Sequence, residues 1–565
     1  MKILTTFYAQ LQTTKRKLQT SNPYIYPMLF EATYLPYHQT NKFSPLVLDY
    51  LALSPAVKPF YTHPPTPDGL RRAVEAKAQH KIDRELLVNA LLQQYAGVGA
   101  GEEVLENIRA LASEKTFTVT TAHQPNIFTG PLYFIYKILH AIKLAACLHE
   151  QLPAYRFVPV YYMGSEDADF AELNHTYVNG HRIEWQKEQS GAVGRMRCDK
   201  NLTRLICELE GQLSIEAYGA EVIALLKRCY TEGKTVQEAT FELVNELYGK
   251  YGLVVLIPDN ADLKRRMIPI FEDDLFGHTP SAIVRKTSEA LEQQYNAQAH
   301  PRDINLFYLK DNLRERILRE EGGFLVNNTD IRFTEAEMKA ELQQHPDRFS
   351  PNVILRGLFQ ETLLPNVAFI GGGGELAYWL QLKDLFVHYG VPFPVLVLRN
   401  SFMVIELKWQ LLIDKLQLSD DDLFLAELTL QDVLMERQGK RPKLNGEWDK
   451  VEELYKSLLQ IATAVDTTLQ QHISSLKAKT LKQLTNLEKK LLRAERKKGA
   501  AEFNQVAKIR QELFPRNGLQ ERAENFSSFY ARHGRDFFDA LYDASLCLEQ
   551  EFTILRTRDK GAISE

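Results

Sequence analysis

The stretch Phe117–Leu148, FTVTTAHQPNIFTGPLYFIYKILHAIKLAACL, decides the fold class. Phe117–Thr121 alternates aromatic and β-branched residues, which suits a strand. Ala122–Gly130 is a polar loop punctuated by proline and glycine, and it carries His123, Gln124 and Asn126. Pro131 suits the first turn of a helix, where its missing N–H costs nothing. Leu132, Ile135, Tyr136, Leu139, Ile142 and Ala145 recur at helical spacing, so the helix is largely buried. A strand, a polar turn and a buried helix form half of a βαβ unit. Ligands of open α/β sheets sit at the carboxyl ends of strands, which makes His123, Gln124 and Asn126 candidate site residues.

Four more short apolar runs follow: Arg156–Met163, Leu253–Ile257, Val367–Ile370 and Val395–Leu398. They alternate with helical patterns, which predicts an α/β fold with a Rossmann-type, doubly wound parallel sheet covered by helices. The gaps 164–252 and 258–366 are far longer than a simple crossover, so each holds an insertion, near 180–250 and 278–362.

Residues 1–70 are rich in Pro, Tyr and Thr. SNPYIYPMLF and YTHPPTPDGL cannot be long helices, and the segment reads as an irregular arm on the main domain. Ile82–Ala96 reads as a helix with Asp83 in its first turn. GVGAGEE has no strand before it and reads as a loop opening a helix over Glu102–Leu111 rather than a phosphate cradle.

The character changes near Asp421, which divides the chain into a core domain, 1–420, and a helical domain, 421–565. Val451–Lys498 contains no Gly or Pro, and Leu454, Leu458, Ile461, Val465, Leu469, Ile473 and Leu476 recur every three or four residues. This predicts one long amphipathic helix, a C-terminal α-helical coiled coil, with a second helix from Phe503 and an aromatic-rich helical tail from Phe526. Lys489, Lys490, Arg493, Arg496, Lys497 and Lys498 read as its solvated face.

At 565 residues the chain needs more than one core. A net charge of −4 gives no support for a nucleic-acid or anionic-membrane partner. No apolar run is long enough to span a bilayer, and the N-terminus lacks the apolar region of a signal peptide, so a cytoplasmic protein is expected. The five cysteines are scattered without a C-x-x-C pair, which predicts reduced thiols rather than a structural metal or a dithiol centre.

Three turns carry candidate chemistry, each after a predicted strand. In HQPN, His123 and Asn126 could stabilise charge developing on a phosphate. In SEDADF, Ser165, Glu166, Asp167 and Asp169 crowd three carboxylates that call for Mg²⁺, an amine or an arginine; the alternative role is an acidic helix cap. GGGGE, Gly371, Gly372, Gly373, Gly374 and Glu375, precedes a helix with Tyr378, and four glycines suit close approach of main chain to a ligand. Arg356 and Arg399 could supply positive charge.

TTAHQPNIFTGPLYFIYKILHAIKLA, VYYMGSEDADFAELNH, SPNVILRGLFQETLLPNVAFIGGGGELAYWLQLK and FPRNGLQERAENF resemble, in order and spacing, the cysteine-adding ligase family of bacillithiol biosynthesis. The resemblance spans roughly residues 80–545. It implies a Rossmann core similar to nucleotidyl transferases, two connecting-peptide insertions, and a coiled coil that pairs two subunits into a homodimer. It also implies an amide-forming ligase that joins cysteine to the amine of glucosaminyl malate. An amide does not form from a free carboxylate in water, so ATP or a related nucleotide with Mg²⁺ is expected to activate cysteine. His123, Gln124, Asn126, Glu166 and Asp167 would carry catalysis; Ser165, Asp169, Gly371–Gly374, Glu375, Tyr378, Arg356 and Arg399 would bind substrate or nucleotide. The alternative is a non-catalytic protein of the same fold that binds a nucleotide or thiol metabolite.

Overall fold

The computed structural model describes residues 16–18 and 29–558. Most of SNPYIYPMLF and the extreme N-terminus therefore lie outside the described residues. The expected strands all form: β1 (Thr116–His123), β2 (Arg156–Met163), β3 (Val254–Leu256), β4 (Asn366–Gly371) and β5 (Val395–Leu398). Helix α1 (Tyr133–Gln151) follows β1, α2 (Val353–Leu363) precedes β4, and the short α3 (Gly373–Trp379) follows it. The five strands pair in parallel in the order β3-β2-β1-β4-β5. The order reverses between β1 and β4, the position where open α/β sheets bind ligands.

The strands are buried on both faces, which is why they read as continuous apolar runs rather than alternating ones. Phe117, Val119, Val367, Ile370, Val395 and Val397 pack with Ala141, Leu144 and Leu148 of α1 and with Leu70, Ala73 and Val74. Full burial of each large apolar side chain contributes roughly 1.5–3 kcal/mol.

The chain clusters into two compact units. The first runs to Val404 and resumes at Gly518; the second is Ile405–Asn517. The tail from Phe526, which the sequence groups with the coiled coil, lies in the first unit. It ends in strand Glu551–Arg558, paired antiparallel with Leu29–Pro36. The N-terminal region is thus more than an irregular arm. Prolines start its helices rather than preventing them: Pro67–Ala78 begins on a proline, with Thr66 capping Gly69 N.

Other expectations shift in detail. Asp83 caps helix Arg84–Tyr95 rather than sitting in its first turn. Pro131 lies just before α1 and bridges to Asn525, so the helix starts at Tyr133. The first insertion carries helices Lys200–Leu213, Gly219–Cys229 and Val236–Tyr248. The second carries an antiparallel sheet that includes Leu306–Lys310 and Leu313–Glu320.

The long helix predicted over 451–498 is two, Asn445–Val465 and Leu469–Lys498. Asp466 is extended and its side chain accepts from Thr468 N, which interrupts the helix without a glycine or proline. The Tyr455 hydroxyl meets Thr480 Oγ1 at 2.7 Å and Gln470 donates to Thr463, so the two helices fold back as an antiparallel hairpin.

The cysteines also differ from expectation. Cys147 at the end of α1 and Cys547 in the tail are disulfide-bonded across 400 residues, while Cys198 and Cys229 are buried free thiols and Cys207 is exposed. Sequence spacing could not reveal a pair that only the return of the tail brings together. No helix among the described residues is long and apolar enough to cross a membrane.

Candidate active site

The carboxyl ends of β1, β2 and β4 open into a cavity of about 360 Å³. Of the residues singled out from sequence, His123, Gln124, Ser165, Glu166, Asp167, Arg356, Gly372, Gly373, Gly374, Glu375, Tyr378 and Arg399 line it. Three do not. Asn126 is buried against Gly130, Gly371 is the packed last residue of β4, and the Asp169 side chain caps Phe170–Leu173 by accepting from Glu172 N. The three sequence-distant turns thus converge because parallel pairing sets His123 beside Met163 and Thr121 beside Ile370.

The loop after β1 is held in an unusual backbone. Phe128, Thr129 and Gly130 all have positive φ (51°, 69° and 63°), which costs energy at the two non-glycine positions. Asn525 from the tail holds it by donating to the Phe128 and Gly130 carbonyls at 2.8 and 2.6 Å. The Tyr230 hydroxyl accepts from Phe128 N at 3.1 Å. The FPRNGLQERAENF block is therefore a brace for the first loop.

His123 points an Nε2 that is buried and has no hydrogen-bond partner among the described residues. Burial, reinforced by Lys137, Arg356 and Arg399, pulls its pKa well below the ordinary histidine value, so the ring is neutral near pH 7. Gln124 donates to Asp167 Oδ2 at 3.1 Å.

The acidic turn is largely satisfied from within. Glu166 forms an ion pair with buried Lys264, which lies 3.6 Å from Asp259; Arg195 grips Asp259 through two bonds of 2.6 and 2.7 Å. Burial raises the Glu166 pKa and Lys264 opposes it. With Asp169 used as a cap, three free carboxylates do not face one ligand. Gly194 of the first insertion sits so close that a Cβ there would lie 2.4 Å from the Ser165 carbonyl oxygen.

On the other side, Glu375 accepts from Gly372 N at 2.8 Å and meets Lys137 Nζ at 2.5 Å. Lys137 also donates to the Ala122 carbonyl at 2.6 Å. Arg399 is buried and held bidentately by Glu521 at 2.6 and 3.0 Å, so its charge is already matched. Arg356 donates to the Tyr378 hydroxyl, and no carboxylate among the described residues pairs with it.

Sequence reasoning missed Lys137, Asp259, Lys264, Arg314 and Arg522. Lys137 was the most accessible of these, as a lone cation on an otherwise apolar helix face. Asp259 follows β3 at the edge where the other candidates were sought. Arg314 and Arg522 belong to an insertion and to the tail, and carry no local signal.

Residues 30–400 match the family described as bacillithiol biosynthesis BshC, N-terminal Rossmann-like domain, and residues 402–557 match its C-terminal coiled-coil domain. The chain belongs to the BshC family.

A relative from Flavobacterium johnsoniae is 38% identical over 524 residues, covering 92% of this chain and 99% of the relative. Another from Cytophaga hutchinsonii is 39% identical over 492 residues, covering 87% and 92%, and one from Chlorobaculum tepidum is 30% identical over 483, covering 81% and 86%. All three carry the name of a provisionally assigned cysteine ligase, BshC. The chain is therefore a ligase-type enzyme of the BshC family, with the Rossmann-like core and coiled-coil region of that family. A solved structure titled as an arginyl-tRNA synthetase from Campylobacter jejuni aligns over 82% of this chain and 94% of its own at 11% identity; its TM-score of 0.21 is too low to bear on the fold.

Proposed function

We propose that this cavity activates the carboxylate of cysteine and transfers it to the amine of glucosaminyl malate, forming the amide that completes bacillithiol. The observation that carries this reading is the glycine wall. Gly372, Gly373 and Gly374 line the cavity, none has positive φ, and a Cβ on Gly374 would meet nothing within 4 Å. Neither backbone conformation nor internal packing asks for glycine at position 374, and this supports close approach of a ligand to the main chain there.

A nucleotide, when bound, supplies the leaving group that a free carboxylate lacks. The residues present fit its phosphates: His123 offers a neutral, unpartnered Nε2, and Lys137 brings positive charge. Asn126 does not reach this surface, and Arg399 holds position through Glu521. Among the described residues no three His, Cys, Asp or Glu side chains gather as a metal site. Mg²⁺ commonly binds through substrate phosphates and one or two carboxylates, which fits Asp167 as its protein contact.

The purified protein, given cysteine, glucosaminyl malate, ATP and Mg²⁺, is expected to yield the amide by mass spectrometry with matching nucleotide consumption. Saturable nucleotide binding with no product on any amine acceptor would replace this reading with a non-catalytic binding role.

We also propose a homodimer built on the hairpin of the second unit. Leu454, Ile461, Val465 and Leu487 are 55%, 61%, 78% and 45% exposed, an apolar stripe that a second copy would cover.

A further inference from the structure

We infer that Arg314, in the second insertion, joins Arg356 to form the subsite that reads the dicarboxylate end of the acceptor. This rests on the ligase reading above and adds a residue to it. The charges lining the cavity are mostly matched: Lys137 by Glu375, Arg399 by Glu521 and Glu166 by Lys264. Arg314, Arg356 and Arg522 are exceptions, since no carboxylate among the described residues forms an ion pair with any of them. Arg522 is exposed and neighbours Tyr133, whereas Arg314 and Arg356 both neighbour Asp167, so these two are the pair placed to meet one dicarboxylate, and guanidinium forks fit carboxylates bidentately.

The placement of Arg314 separates it from the glycine wall. Its charged neighbours are Asp167 and Glu166, on the acidic turn, whereas Lys137 is the cation held on Glu375. Arg356 has both Glu375 and Asp167 as charged neighbours and so lies between. An acceptor that carries two carboxylates would thus find Arg314 with Arg356 for them.

The Arg314 side chain is also fixed in advance. It lies 3.9 Å over the Phe307 ring and donates from Nε to Ser350 Oγ at 3.0 Å, and neither terminal nitrogen has a hydrogen bond among the described residues. The turn that starts its strand is tied to the first insertion: Ser190 Oγ donates to the Asn312 carbonyl at 2.7 Å, and Gln189 donates to Asn312 Oδ1 at 3.2 Å. Gly191 completes the joint, because a Cβ there would lie 2.8 Å from Leu313 N. The two insertions together hold the arginine at the cavity.

Steady-state assays of Arg314→Gln test this. The KM for glucosaminyl malate is expected to rise at least tenfold, with KM for cysteine and for ATP within twofold of the parent. Glucosamine, which lacks the carboxylates, should be used equally by both proteins. Arg314→Lys, which keeps the charge without the fork, should recover part of the loss. Titration calorimetry with glucosaminyl malate alone reads the subsite even where no amide forms. Binding to the parent and loss in Arg314→Gln would then support the subsite while the ligase reading fails. Equal acceptor binding by the two proteins, weakened ATP binding with unchanged acceptor binding, or equal weakening of all substrates would overturn the inference.

Discussion

Lys137 Nζ lies 2.5 Å from Glu375 Oε2 and 2.6 Å from the carbonyl oxygen of Ala122, so one buried ammonium joins the end of β1 to the glycine turn after β4. These are the two strands between which the sheet order reverses, and the ion pair sets the spacing of the cavity's two walls. Burial lowers the Lys137 pKa, and Glu375 opposes that shift.

Removing one partner should therefore cost more than removing both. Glu375→Gln leaves a buried ammonium without its counter-ion, a loss of about 3 kcal/mol in urea unfolding. Lys137→Met combined with Glu375→Leu should recover much of that stability while amide formation stays low. Additive losses in the double variant would mean that the pair is not coupled as described.

Two glycines of the same turn should respond in opposite ways. A Cβ at Gly371 would lie 2.9 Å from Phe369 Cε1 and 3.0 Å from Glu375 Cβ, so Gly371→Ala should destabilise by about 1–3 kcal/mol. Gly374→Ala meets no protein atom and should leave Tm within a few degrees, yet lower kcat/KM for amide formation at least tenfold. An active Gly374→Ala enzyme would remove the main support for a ligand against this wall.

The pH dependence of stability should report His140. Its Nδ1 accepts from Asn400 N at 3.0 Å and its Nε2 donates to the Cys547 carbonyl at 2.9 Å, which fixes the neutral ring in one tautomer. Burial lowers its pKa to about 4 from an ordinary 6.5. The unfolded chain takes up the proton below about 6.5 and the folded one only near 4, so the stabilising contribution is complete above 6.5 and declines as pH falls toward 4. The shift amounts to about 3 kcal/mol. Urea midpoints between pH 7 and 4 should fall less steeply in His140→Gln than in the parent; parallel curves would contradict the assignment.

Thiol counting distinguishes the cysteines directly. With Cys147 and Cys547 bonded, titration of the denatured protein should give three thiols before reduction and five after it. Five before reduction would show that the pair is held as free thiols.

Charge placed on the exposed hairpin should separate the proposed subunits. Ile461→Asp with Val465→Asp should convert a dimer to a monomer in light scattering without loss of helix by circular dichroism. A parent protein that is already monomeric at micromolar concentration would dispose of the dimer.

The sequence by itself determined the five strands, their parallel class and three of the cavity walls. Each of these depends on short-range facts: an apolar run buried on two faces, and polar or glycine residues where it stops. His123, Asp167 and Gly372–Gly374 were legible because the carboxyl ends of parallel strands must share one edge.

Only the tertiary structure decided which charges remain unmatched. Arg399 looks free in sequence and is bound by Glu521, 122 residues away; Glu166 looks crowded by acids and is matched by Lys264; Arg314 carries no local signal and lines the cavity. The long helical stripe crosses Asp466 without a break in its period, yet the chain turns there. A charge partner depends on where distant segments return, and a turn in a periodic helix depends on what packs against it. Neither quantity is carried by local residue order.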